Sequence, residues 1–164
     1  MKGKLPTYRK SFFMSPERKD GLQLEMFYED GCVYTDFFIH DRFEGYVDVV
    51  HGGMTFGVLD TIIWSVIFVE TKKIAMTKKV EMEFFKPILC NTHYKALGKV
   101  ISVEGRDIRA EAWIEDVDGE IYARVDALFR EAKGIDLKVL MDRFDFSPIS
   151  PEIRDFYMSI AEQG

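Results

Sequence analysis

The chain has 164 residues, 47% hydrophobic and 14% aromatic, with a formal net charge of -6 at pH 7. That length suits one domain able to bury about 70% of the surface its unfolded form exposes, and the apolar content excludes a disordered chain. The acidic balance, with basic residues scattered rather than striped, disfavours nucleic acid as a partner.

Residues 1–20 read as a polar N-terminal segment with several Lys and Arg and no apolar stretch or small-residue cleavage site of an export signal. Leu22 to Tyr28 and Val33 to Ile39 are β-prone runs on either side of Glu29-Asp30-Gly31-Cys32, and Asp-Gly predicts a tight hairpin. The link from His40 to Val50 has no periodicity and leads to His51-Gly52-Gly53, where a helix should begin. From Met54 to about Glu70 the pattern is apolar on most sides, the signature of a helix buried in the middle of a fold.

Four further strands are expected at Ile74 to Phe85, Thr92 to Val103, Asp107 to Asp116 and Glu120 to Arg130, as a meander. Alternation puts Tyr94, Ala96, Gly98, Val100 and Ser102 on one face, and sets Ala123, Val125, Ala127 and Phe129 against Tyr122, Arg124, Asp126, Leu128 and Arg130. Two strands before the helix and four after it pack most economically as a curved antiparallel sheet around that helix, an α+β domain over 21–134. The tail, 135–164, reads as a short helical appendage. It has Leu137, Leu140, Met141 and Phe144 at helical spacing, breakers at Ser147-Pro148 and Ser150-Pro151, and a last helix from Glu152 to Ala161.

The longest apolar run, Ile62 to Val69, is far below the roughly 20 residues that span a bilayer. Cys32 and Cys90 lack CxxC spacing and read as free thiols of a reducing compartment. A cytoplasmic protein without a membrane partner is expected. His40 and His93 are isolated, so no metal site is expected, and no dinucleotide, P-loop or GxSxG motif is present.

The chemistry points to the buried helix. At 100° per residue Gly57, Asp60, Thr61, Trp64 and Ser65 share one stripe with a single charge. The stripe is either a solvent face, which would usually carry more Lys and Glu, or a buried one. If buried, desolvation raises the Asp60 pKa, a cost that suggests a function. Such a carboxylate serves as nucleophile on an acyl carbon or as general base for a water, and Gly57 leaves a substrate room to approach. Gly52-Gly53 supplies helix N-terminal amides that point at an oxygen gaining negative charge.

Phe43-Glu44-Gly45-Tyr46, Val49-Val50-His51-Gly52-Gly53 and Leu59-Asp60-Thr61 together resemble the hotdog-fold thioesterases of the PaaI type. The resemblance continues through Ala75-Met76-Thr77, Phe85-Lys86-Pro87, Gly105-Arg106 and Asp118-Gly119-Glu120, so it covers roughly Phe43 to Arg130. It implies a hotdog fold, hydrolysis of an acyl-CoA thioester without a cofactor, and a homodimer or homotetramer with shared sites. The Gly53 N–H of one subunit would polarise the thioester carbonyl while Asp60 of the other attacks or activates water. Thr77 matches a hydroxyl position that helps hold that water, and His51 shapes the loop and lines the site. Gly52, Gly57, Thr61 and Trp64 are the expected substrate contacts. This chain departs from the family's alanine-rich helix at Trp64, Ile67 and Phe68, and both ends of the chain lie outside the resemblance.

Lys72, Lys73, Lys78 and Lys79 are candidates for the phosphates of coenzyme A, with an ordinary solvated surface as the plainer reading. Two rivals use the same fold: a non-catalytic acyl-CoA binding module and an acyl-thioester dehydratase or hydratase.

Overall fold

The structure is a computed structural model that describes residues 1–147 and 149–162; Pro148, expected as a breaker, lies outside the described residues. Its centre is helix α1, Gly52–Thr71, opened by His51 as N-cap and closed by Lys72 in the left-handed conformation. α1 has the length and hydropathy of a membrane-crossing segment, but more than half of its most apolar window is buried inside the fold.

Eleven strands flank it in chain order among the described residues: β1 (Lys2–Lys4), β2 (Thr7–Tyr8), β3 (Phe27–Glu29), β4 (Cys32–Phe37), β5 (Glu44–Tyr46), β6 (Val49–Val50), β7 (Ala75–Phe84), β8 (Tyr94–Glu104), β9 (Asp107–Glu115), β10 (Ile121–Glu131) and β11 (Phe144–Asp145). Helices α2 (Leu137–Met141) and α3 (Pro151–Ala161) complete the chain. The main sheet is antiparallel in the order β1-β3-β4-β8-β9-β10-β7. The α+β architecture of a long helix wrapped by an antiparallel sheet is therefore the one the sequence implies.

Three details differ from expectation. Only β8, β9 and β10 form a meander. β7 crosses to the far side of β10, so it is an edge strand with no partner on its other side among the described residues. Leu22 to Met26 is not strand, because Leu22 and Leu24 donate their N–H groups to Phe12 and Phe13 carbonyls rather than to the sheet. The helical spacing of Leu137 to Phe144 holds only through Met141; Phe144 belongs to β11, which pairs with β2 as a separate ribbon.

The hairpin turn between β3 and β4 has positive φ at both Asp30 (48°) and Gly31 (83°), as a two-residue loop of this twist requires. Alternation holds along β10, where Ala123, Val125, Ala127 and Phe129 are buried. In β8 a register shift between Val100 and Ser102 sets Ser102 opposite Arg109 and off the expected face.

The sheet's covered face is built of small residues. Ala96, Ala110, Ala112, Ala123 and Ala127 are buried there, which makes room for Ile62, Ile63 and Val66 of the helix. Of the bulk that α1 carries in place of alanine, Trp64 and Phe68 stack on each other and pack against Phe144 and Tyr157 of the C-terminal tail. At Gly98 a Cβ would lie 2.5 Å from Ile62 Cγ2, so glycine sets how closely helix and sheet approach.

Both ends of the chain join the same hydrophobic cluster: Leu5 and Met14 from the N-terminal segment, and Met141, Phe144, Ile153, Tyr157 and Ile160 from the tail.

Candidate functional site

Asp60 lies in the middle of α1, half-buried, and its Oδ1 accepts a 2.9 Å hydrogen bond from Thr77 Oγ1. Burial pushes its carboxyl above the usual carboxylate range, and the Thr77 hydrogen bond pulls it back less strongly. The polar stripe is half-buried at Gly57, Asp60, Thr61 and Trp64 and buried at Ser65, between the two readings the sequence left open.

Thr77 reaches Asp60 because of a β-bulge. β7 pairs Val80 with Ala127 and Lys79 with Leu128, but Thr77 with Phe129, so Lys78 is an extra residue without a partner. Strict alternation from Val80 and Met82 would turn Thr77 away from the helix; the bulge returns it to the Phe129 side. The sequence carries a trace of this, since the buried Ala75 and the inward Val80 are an odd number of residues apart.

The remaining hydroxyls of the stripe are satisfied within the helix. Thr61 Oγ1 donates to the Gly57 carbonyl at 2.7 Å and Ser65 Oγ to the Thr61 carbonyl at 2.8 Å. Among the described residues Asp60 is the only charge bordering a cavity of about 630 Å³ whose other walls include Thr61, Trp64, Ile74 and Phe129. Trp64 is stacked on Phe68 at 5.5 Å with parallel planes. Gly57 is not open to a substrate in the way expected of it: the Phe13 ring sits on it so closely that a Cβ there would lie 2.1 Å from Phe13 Cζ.

His51 and the glycines occupy the other end of the helix. His51 Nδ1 accepts the Gly53 N–H at 3.0 Å, capping the helix. Gly52 faces the Phe84 ring and borders a second cavity of about 410 Å³ with Tyr46, Phe85 and Lys86. Gly53 and Asp60 are separated by two turns, about 10 Å along the axis. One chain thus brings Asp60, Thr61, Trp64 and Thr77 together and holds His51, Gly52 and Gly53 apart from them.

The four lysines considered for phosphate binding are all engaged: Lys72 lies over the Phe156 ring, Lys73 meets Glu131 at 3.0 Å, Lys78 Asp107 at 3.6 Å and Lys79 Glu81 at 2.5 Å. His93 packs against Phe38, and His40 accepts from the Arg42 N–H. Cys32 and Cys90 are free and half-buried. Sequence reasoning missed Tyr8, Ser11, Met14, Ile135 and Leu140, which all line the Asp60 cavity. No local pattern marks them, because they reach it only through the folding-back of both chain ends.

No family model matches the chain and no curated protein matches it in sequence. Solved structures do. A thioesterase superfamily protein is 25% identical with a TM-score of 0.70, the match spanning 75% of this chain and 61% of that one. The PaaI protein of the E. coli phenylacetic acid degradation operon is 14% identical over 69% of this chain and 82% of its own, with a TM-score of 0.62. Smu.793 from Streptococcus mutans UA159, bound to acetyl CoA, is 16% identical over 66% of this chain and 88% of its own, with a TM-score of 0.61.

Proposed function

Because the chain has the PaaI-like hotdog fold of the thioesterase superfamily, we propose that it hydrolyses acyl-CoA-type thioesters, with Asp60 as its catalytic carboxylate. The observation that carries this reading is a half-buried aspartate of raised pKa, fixed by Thr77 at the polar edge of an otherwise uncharged cavity. A carboxylate in that setting is a better proton acceptor than one in water. Thr77 occupies Oδ1, leaving Oδ2 for a water. That water adds to the thioester carbon, Asp60 takes its proton, the C–S bond breaks, and the proton leaves with the thiol. The fold's likeness to a protein bound to acetyl CoA agrees with this choice of thiol.

The second half of the site comes from a partner copy. β7 is an edge strand whose Thr77 end touches Asp60 and whose Phe84 end touches Gly52. Two copies related by a two-fold axis pair such edges antiparallel, which lays the Asp60 end of one against the Gly52-Gly53 end of the other. Met76, Phe84 and Phe85, exposed by 66%, 55% and 53% along this edge, are apolar side chains such an interface would cover. The Gly53 N–H would then meet the carbonyl oxygen as it gains charge, once the His51 imidazole releases it.

That last requirement favours one other reading. If His51 keeps the Gly53 N–H, the protein binds acyl thioesters without cleaving them. Thiol release from a panel of aliphatic and aryl acyl-CoAs, with wild type and Asp60→Asn side by side, separates the two. Hydrolysis abolished by the substitution supports the enzyme; saturable binding with no thiol released by wild type supports the binding module.

A further inference from the structure

The ends of the chain, which the hotdog resemblance does not reach, close over the Asp60 side of α1. β2 and β11 pair through Tyr8 with Phe144 and Thr7 with Asp145, and the Arg9 N–H donates to the Arg143 carbonyl at 2.9 Å. The ribbon is held to the helix by aromatic packing: Phe144 stacks on Trp64 at 6.3 Å, meets Tyr8 edge-on at 5.4 Å and touches Tyr157 at 5.9 Å. Phe13 seals the adjoining turn by sitting on Gly57.

The cavity beside Asp60 owes much of its wall to this clasp. Tyr8, Ser11 and Met14 come from the N-terminal segment, and Ile135 and Leu140 from the tail. Without them the Trp64 side of the helix would open to solvent. With them it becomes a pocket of about 630 Å³, inside the roughly 300–1,000 Å³ range that houses drug-sized ligands. That is far more room than an acetyl group fills. Among the described residues the lining holds no Lys, Arg or His, and its one charge is the Asp60 carboxylate.

We propose that the clasp of the two chain ends is the acyl-selecting wall of this protein, and that the acyl groups it admits are uncharged and of aryl or medium-chain size. This rests on the reading of Asp60 as the reacting end of the site. An aliphatic or aryl group lies against Trp64, Met14 and Leu140 with its carbonyl at Asp60. A short acyl group leaves the wall unfilled. A dicarboxylic one brings its second carboxylate into a pocket with no cation to meet it and one anion to repel it.

Two measurements test the wall separately from the chemistry. Trp64 and Trp113 are the only tryptophans, so in a Trp113→Phe background the fluorescence of Trp64 reports the cavity directly. Octanamide, uncharged and inert, should change it saturably, and acetamide at the same concentrations should not. Alongside, kcat/KM for octanoyl-CoA over acetyl-CoA should be about 100-fold or more in wild type, with glutaryl-CoA at or below acetyl-CoA. Leu140→Trp, which fills the pocket from a half-buried position, should collapse the octanoyl-over-acetyl ratio of kcat/KM at least tenfold. Leu140→Ala guards against misfolding of the larger variant and should keep the octanoyl preference. A saturable octanamide signal without hydrolysis of any thioester upholds the pocket and overturns the hydrolase. Hydrolysis with no octanoyl preference, or with one that Leu140→Trp leaves unchanged, overturns the pocket and leaves the hydrolase standing.

Discussion

Asp60 is expensive where it stands. Its folded-state pKa lies above the unfolded value because burial disfavours the charge. The folded state therefore holds the proton more tightly, and Asp60 lowers stability as pH rises through its titration range. Asp60→Asn should consequently melt no lower than wild type at pH 7, with any gain shrinking as pH falls through the raised titration range of Asp60 and gone once pH is below the ordinary carboxylate range. It should at the same time lose about 100-fold or more in kcat for thioester hydrolysis. Thermal melts at several pH values together with thiol release check both. Thr77→Val removes the one hydrogen bond that holds the Asp60 pKa down. The acid limb of its pH–rate profile should move to higher pH; an unmoved limb would dissociate Thr77 from the titrating group. Asp60 was legible in the sequence as the single charge on the polar stripe of an otherwise apolar helix. Thr77 came only through the family resemblance, as a hydroxyl that helps hold the water, and its contact with Asp60 was not legible, because strand alternation alone points Thr77 the wrong way and the bulge at Lys78 reverses it.

At the scale of elements, the close approach of helix and sheet hangs on one position. A methyl group at Gly98 would meet Ile62 Cγ2 at 2.5 Å and the Glu111 carbonyl oxygen at 3.2 Å, and neither the buried helix nor the strand backbone can retreat freely. Gly98→Ala should cost about 1–3 kcal/mol, measured by urea unfolding. If the substitution is neutral, the helix is not seated as tightly as this packing implies. Periodicity found α1 and the four long strands to within a residue or two, because each buries one face against another and so carries that face in its pattern. The same reasoning failed at Phe144, whose helical spacing from Leu137 is outweighed by pairing with Tyr8, and at Leu22 to Met26, whose backbone is bonded to Phe12 and Phe13. Both failures are long-range contacts that bring the chain ends onto the core, and a local window does not contain them.

At the scale of the whole molecule, the two halves of the site lie at opposite ends of the same edge strand, and a single chain keeps Gly53 and Asp60 about 10 Å apart. On the proposed mechanism catalysis by these groups requires two copies, so activity should fall on dilution below the dimer dissociation constant, with hydrolysis and sedimentation followed over the same concentrations. The most direct measurement mixes two variants, each disabled in one half: Asp60→Asn, and Gly53→Pro, which deletes the N–H in the first helical turn. After subunit exchange, half of the dimers are mixed and one of the two sites in each is intact. Thiol release should therefore return to about a quarter of the wild-type rate from two inactive parents. A mixture that exchanges subunits, as mass measurement of the mixed dimer would show, and still releases no thiol would contradict a site built from Asp60 of one copy and Gly53 of the other.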